Sequence, residues 1–252
     1  MKYDLVIPLA NKDINKLALL LYSCLNYLVP QPESIVVVSE MDSLRVEGPN
    51  NGVPIRCIFE GELFPHIDFS TIDYRRKGWI LQQFIKLFQN VSTENLYMVV
   101  DADLIFNRIF EVFPSDMKCL WLGRDQNHTP YYNLMEKFWG IGREYPHSFI
   151  SELMMFNKDI TRELLIPFDN SPKKLFEELK KLVKYTGSDF LLGDYEIYGN
   201  WVIKHHKDEY VIKTIKSKLF GMYSEWRNED LLSTIESVKN EDIDIITMHS
   251  WE

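Results

Sequence analysis

Asp101 and Asp103 are the residues of this sequence whose type and spacing most directly imply chemistry. They stand one residue apart in Leu96–Phe106, LYMVVDADLIF, with an apolar run before them and another after. An ionised carboxylate is costly inside a buried strand, so the pair is expected where Tyr97–Val100 leaves a sheet. In open α/β sheets that carboxyl edge is where ligands bind. Side chains alternate along an extended segment, so Asp101 and Asp103 can point the same way with Ala102 turned aside. Two carboxylates so placed repel unless a cation lies between them, and hard oxygen ligands suit Mg²⁺ or Mn²⁺. A metal held by two protein carboxylates keeps positions that a substrate diphosphate can fill. The same tripeptide also serves as a plain turn former or helix cap; the apolar frame on both sides favours the metal reading.

Three further segments carry chemistry. Arg75, Arg76 and Lys77 precede a helix and lie upstream of the aspartates, a setting suited to a diphosphate or, more plainly, a solvated basic turn. In Ser188–His206, where Ser188 or Asp189 starts a helix, Asp194 and Glu196 interrupt an apolar and aromatic run. On a helix Glu196 shares a face with Gly199 and Asn200. Among Tyr195, Tyr198 and Trp201 its carboxyl can be raised and act as a general base, with the rings packing on a sugar, or it can simply cap or pair. Near the end of the sequence, Asp242–Trp251 reads as a short strand delivering His249, whose imidazole would add a third ligand to the two aspartates. His205 and His206, flanked by lysines, receive no function.

The elements that must position these residues follow from hydrophobic pattern. Asp4–Leu9 reads as a buried strand, Ser34–Ser39 and Ile55–Phe59 as a second and a third strand, and a helix capped by Asn11 or Asp13 runs to about Leu28. The opening is thus β-α-β, the start of a parallel doubly wound sheet. Gly78–Phe88 reads as a helix in which at least one of Gln82 and Gln83 faces the core or a cleft. Ile109–Phe113 and Lys118–Leu122 read as short strands, Gly123–Asn133 as a polar, aromatic loop, and Ser148–Phe156 as a strand with Glu152 unexpected inside it. A helix capped by Asn157 and a charged one over Pro172–Tyr185 follow.

The 252 residues suit one α/β domain, with a nucleotide-binding half over 1–106 and an acceptor-binding half over 107–252. A hydrophobic content of 46% and a charged content of 26% are ordinary for a globular chain, and the net charge of −9 argues against non-specific nucleic-acid binding. G-x-G-x-x-G and P-loop signatures are absent. No apolar run spans a bilayer and the amino terminus lacks signal-peptide character, so a cytoplasmic location is expected. Cys24, Cys57 and Cys119 sit in apolar contexts and read as reduced core residues.

The ordered blocks Arg76-Lys77-Gly78-Trp79, Gln82-Gln83, Lys86-Leu87, Asp101-Ala102-Asp103 with Phe106, Ser148-Phe149-Ile150 with Met154 and Phe156, and Asp194-Tyr195-Glu196-Ile197-Tyr198-Gly199 resemble a group of bacterial and viral glycosyltransferases of the GT-A fold. That resemblance implies a mixed, mainly parallel α/β sheet flanked by helices, and a nucleotide-diphosphate sugar as donor, most simply a UDP- or GDP-sugar. It further implies Mn²⁺ or Mg²⁺ as cofactor and a glycan or lipid-linked sugar as acceptor. It makes Asp103 a direct metal ligand, Asp101 a ligand through water or a holder of the donor ribose and sugar, and His249 the third ligand. Arg76, Lys77 and Gln83 become donor contacts, and the turn Leu9, Ala10 and Asn11 borders the base. Asp194 stands where the pattern has Glu, so the base role passes to Glu196 if the enzyme inverts; if it retains configuration, Glu196 only holds the acceptor. Three rivals stay in view. A haloacid dehalogenase-type phosphotransferase would open on its Asp-x-Asp, and a sugar-phosphate nucleotidyltransferase would have a glycine-rich loop in place of PLANKD. The third is a non-catalytic sugar-binding relative keeping the fold alone.

Overall fold

Tyr3–Leu9 (β1) is buried at every residue and forms the middle strand of the central sheet. The computed structural model describes residues 1–46, 52–72, 77–88, 91–123, 127–186, 192–221 and 228–249. After β1 come Ile14–Tyr27 (α1), Leu28–Val29 (β2), Ser34–Ser39 (β3), Ile55–Phe59 (β4) and Lys77–Phe88 (α2). The middle of the chain holds Leu96–Val100 (β5), Leu104–Phe106 (β6), Phe110–Glu111 (β7), Lys118–Leu122 (β8), Thr129–Trp139 (α3), Leu153–Asn157 (β9) and Lys158–Leu164 (α4). Pro172–Thr186 (α5), Asp194–His205 (α6), Tyr210–Thr214 (β10), Ser217–Phe220 (β11), Asn228–Val238 (α7) and Ile245–Met248 (β12) follow.

The central sheet has the order β4-β3-β1-β5-β9, parallel except for the antiparallel β5–β9 pair. Alternation along the strands sends side chains to two different layers. Leu5, Ile7, Ile35, Val37, Met98 and Val100 pack with Leu17, Leu20 and Cys24 of α1. Val6, Val36, Tyr97, Val99 and Phe156 pack with Phe84 of α2, Leu164 of α4, Leu175 of α5 and Tyr198 of α6. Helices therefore cover both faces, which is why these strands are continuous apolar runs. This is the mixed, mainly parallel α/β architecture that the sequence predicts. Cys24 and Cys119 are buried, Cys57 is partly so, and none is bridged.

Asp4 anchors the far edge of the sheet from the carboxylate turn. It is fully buried, accepting from Ser34 Oγ at 2.7 Å, Ser92 Oγ at 3.0 Å, and the amides of Thr93 and Glu94 at 2.6 and 3.1 Å. Burial alone would raise this carboxyl, but the hydrogen bonds from Ser34, Glu94 and Thr93 outweigh it and hold it below the usual carboxylate range. The fold thus favours the ionised form; its stabilisation is complete above the ordinary carboxylate value and is lost as pH falls below it. Asp4→Asn is expected to cost about 2 kcal/mol at pH 7. In urea melts taken down to about pH 2, the gap to wild type should close. A gap independent of pH would remove the charge from this account.

Several boundaries differ from the sequence reading. Residues 127–133 are not a loop throughout, because α3 begins at Thr129, with Pro130 in its first turn, and ends on the left-handed Gly140. In Ser148–Phe156 only Leu153 onward is strand; Glu152 has φ +64° and breaks the extended run. Asn157 caps α4 as expected, its side chain accepting from the Asp159 amide at 2.8 Å. Asp13 occupies the N-cap position of α1 without capping it, since its Oδ1 accepts from Lys16 Nζ at 2.6 Å. The α6 helix starts at Asp194 after Gly193; Ser188 and Asp189 lie outside the described residues. Among the described residues no helix is long and apolar enough to cross a membrane.

Candidate functional site

Strand register brings three distant parts of the chain to one place. In the antiparallel β5–β9 pair Val100 faces Leu153, so Asp101 meets Glu152, and the Asp101 amide donates to the Glu152 carbonyl at 2.9 Å. In the antiparallel β6–β12 pair Leu104 faces Thr247, and the Met248 amide donates to the Asp103 carbonyl at 2.9 Å. His249, the next residue, therefore stands beside Asp103. Asp101 to Leu104 is a turn closed by a 3.1 Å backbone hydrogen bond, not an extended segment. Both aspartates nevertheless face the same space.

That space is a cavity of about 800 Å³ at the carboxyl ends of β1, β3 and β5. Leu9, Ala10, Lys12 and Asp13 line it after β1, Glu40 after β3, and Asp101, Ala102 and Asp103 after β5. Lys77, Gly78, Trp79 and Gln82 of the start of α2 and His249 complete the wall, together with Glu60. The volume lies within the range of small-ligand sites, and its position matches the edge where open α/β sheets bind ligands. Burial, then the neighbouring Glu40 carboxylate, pushes the Glu60 carboxyl up to about 6 against the opposing pull of Lys77. A smaller hollow of about 360 Å³ beside β4 includes Asp42, Arg45 and Glu62. Arg45 there donates to the Asp42 and Leu44 carbonyls, and the hollow shares no lining residue with the larger cavity.

Behind Asp101 lies a buried charge triad. Lys86 Nζ is 3.0 Å from Asp101 Oδ1 and 3.2 Å from Asp194 Oδ2, and sits 4.2 Å from the centre of the Tyr195 ring. The Tyr195 hydroxyl donates to the same Asp101 oxygen at 3.2 Å. Burial pushes the Lys86 ammonium down, but Asp101 and Asp194 outweigh it and hold it well above the ordinary lysine value. One ammonium shared by two carboxylates leaves an excess of negative charge, and burial pushes Asp194 up to about 6, with Lys86 opposing.

The donor set can be judged for a divalent cation from its chemistry. Burial, reinforced by the charge on Asp101, pushes Asp103 up to about 7, with His249 opposing. A carboxyl disfavoured in this way is one whose charge a cation would relieve. His249 Nε2 lies 3.7 Å from Asp103 Oδ2 and 3.5 Å from Glu152 Oε1. The carboxylates suit Mg²⁺ or Mn²⁺, and an imidazole beside them shifts the balance away from Mg²⁺. Among the described residues no three His, Cys, Asp or Glu side chains cluster tightly enough to hold an ion by themselves. Asp103 and His249 are of ligand type and stand side by side, but they do not form a complete ligand set.

Of the residues singled out in the sequence, Asp101, Asp103, His249, Leu9, Ala10 and Lys77 meet at the cavity. Arg76 lies outside the described residues. Asn11 is exposed, its amide donating to Glu40 Oε1 at 2.7 Å, and it is not part of the lining. Gln82 lines the cavity in place of Gln83, which is buried with its Oε1 accepting from the Asp194 amide at 3.0 Å. Neither Asp194 nor Glu196 is in the lining. Asp194 faces Lys86. Glu196 is buried, accepting from Ser148 Oγ at 2.5 Å, the Phe149 amide at 3.3 Å and Asn200 Nδ2 at 3.1 Å. The bonds from Ser148 and Phe149 join α6 to the segment entering β9, and the bond from Asn200 lies within α6. Tyr195 and Tyr198 likewise pack into the core. Lys86 and Glu152 were missed as site residues. The signal for Lys86 was a lysine between the buried positions Ile85 and Leu87; for Glu152 it was an acid inside an apolar run.

No curated protein matches the sequence. Among solved structures, the crystal structure of mouse xyloside xylosyltransferase 1 in its apo form is 13% identical over 98% of this chain and 97% of that one, with a TM-score of 0.48. Residues 1–141 match a family of unknown function, DUF6492. That match spans more than half of the sequence, and the chain belongs to this family.

Proposed function

We propose that this chain is a metal-dependent glycosyltransferase that moves a sugar from a nucleotide-diphosphate donor to a hydroxyl of a glycan or lipid-linked sugar. The observation that carries the reading is the meeting of Asp101, Asp103 and His249 in one cavity with Lys12, Lys77 and Trp79. Carboxylates at the sheet edge next to lysines form a combination that a diphosphate and its cation would share. When bound, a divalent cation neutralises the charge that grows on the departing diphosphate as the glycosidic bond breaks. In this reading Asp103 and His249 would hold the ion. Asp101 is fixed from behind by Lys86 and the Tyr195 hydroxyl, which leaves its other oxygen to face the cation or the donor. Leu9 and Ala10 border the nucleoside, Lys12 and Lys77 bring positive charge to the diphosphate, and the Trp79 ring packs on the apolar face of the sugar.

A thermal-shift panel tests this. UDP, GDP, CDP and dTDP are each measured with and without Mn²⁺, on wild type and on Asp103→Ala. A ligand that binds only the folded state adds stability by mass action, about 2.7 kcal/mol at a hundredfold excess over Kd. The expected result is a Mn²⁺-dependent shift with one nucleotide that disappears in Asp103→Ala. The absence of any shift on a folded protein would leave the Asp-x-Asp as a structural turn and favour a non-catalytic relative.

A further inference from the structure

Glu152 is a non-glycine residue at φ +64°, in the left-handed region that L side chains disfavour. A glycine would occupy that backbone without strain. What the glutamate adds is its set of partners. Its carbonyl accepts from the Asp101 amide at 2.9 Å, its Oε2 accepts from the buried Thr247 hydroxyl at 2.5 Å, and its Oε1 stands 3.5 Å from His249 Nε2. One residue thus touches both segments that carry the candidate ligands. One contact goes to the carboxylate turn through main chain; the others go to the His249 strand through side chain.

We propose that Glu152 is a positioning residue for the cation site, holding His249 and the Asp101–Asp103 turn in a single arrangement. The proposal rests on the donor-site reading above. Strand pairing fixes where β12 lies but does not by itself set the direction of the imidazole after it, and a carboxylate anchored to Thr247 adds a restraint on that ring. Groups outside the ligand set that hold a ligating histidine tune metal affinity; here the contact is to Nε2, the nitrogen that also faces Asp103 Oδ2 at 3.7 Å, so Glu152 holds the ring toward Asp103 before a cation arrives.

Glu152→Gly separates positioning from general packing, because it relieves the backbone while removing the carboxylate. Mn²⁺ is titrated into wild type, Glu152→Gly and Asp103→Ala with UDP, GDP, CDP and dTDP each present in excess in turn, unbound Mn²⁺ being read by electron paramagnetic resonance against protein-free blanks; melting temperatures are taken in EDTA. Glu152→Gly is expected to melt close to the wild-type temperature, the relieved backbone offsetting the Thr247 hydroxyl left without its acceptor, and to bind Mn²⁺ about 10- to 100-fold more weakly. Wild-type affinity in Glu152→Gly overturns the proposal, and so does weaker binding accompanied by a lower melting temperature. If wild type itself takes up no Mn²⁺, or Asp103→Ala binds it equally well, the cation site fails first and the role of Glu152 falls with it.

Discussion

Lys86→Met should lower the stability of the folded chain by about 3–5 kcal/mol, the cost of removing one partner from a buried ion pair. The methionine fills most of the space of the lysine stem, so little of the loss comes from a cavity. What changes is charge. Asp101 and Asp194 now share one ammonium at 3.0 and 3.2 Å; in the variant Asp194 is left buried without a cation, while Asp101 keeps its exposure to the cavity. Asp194→Asn is expected to cost much less, because it removes one of two carboxylates competing for Lys86 and leaves the Lys86–Asp101 pair intact. Urea denaturation of both variants at pH 7 by circular dichroism measures the difference. If Lys86→Met loses no more than the ~1 kcal/mol of an exposed pair, the triad is not an ionised buried cluster, and the fixing of Asp101 from behind goes with it.

How much of this was legible in the sequence depended on whether the signal was local. Ser34–Ser39, Ile55–Phe59 and Lys118–Leu122 coincide with β3, β4 and β8. Ser34–Ser39 lies inside the central sheet and is written as a continuous apolar run, while half-buried Ile55–Phe59 at its edge and Lys118–Leu122 in the β8–β10 pair carry shorter local signals that likewise need no distant information. Asp101, Asp103 and His249 were legible for the same reason, each standing at the end of such a run. The α3 helix was misread because its polar and aromatic residues outweighed the Pro130 and Gly140 punctuation that marks its ends. The β10 strand escaped notice because only its first residue is fully buried, so it lacks the apolar run that exposes its partner β8. Lys86, Glu152 and Glu196 could not have been placed locally at all. Their partners arrive from elsewhere: Asp194 lies 108 positions beyond Lys86, Thr247 lies 95 beyond Glu152, and Ser148 lies 48 before Glu196. Glu196 shows the consequence. Its aromatic neighbours looked like a sugar platform in the sequence. In the fold they face the core, where the Tyr198 hydroxyl pairs with that of Tyr210 at 2.8 Å and accepts from the Asn157 amide at 2.8 Å.

Asp103→Asn should reduce the rate of sugar transfer by about a thousandfold or more, equivalent to about 4 kcal/mol of transition-state stabilisation. The substitution keeps the shape of the side chain and its place in the turn after β5, so the cavity is preserved while one negative charge leaves it. In the proposed reaction the Asp103 carboxylate holds the cation that answers the charge growing on the leaving diphosphate, and a neutral amide is a far weaker ligand. Stability should move the other way. Asp103 is a buried carboxyl whose charge is disfavoured by burial and by Asp101, so in EDTA the variant is expected to melt at the wild-type temperature or above it. The transfer assay uses the sugar nucleotide whose base the thermal-shift panel selects, with Mn²⁺ present and nucleoside diphosphate release as the signal. A variant that folds normally and transfers within about tenfold of wild type would take Asp103 away from the reacting diphosphate. Loss of transfer together with a retained or raised melting temperature is the result that a charge at the leaving group requires, because a damaged fold would lower both.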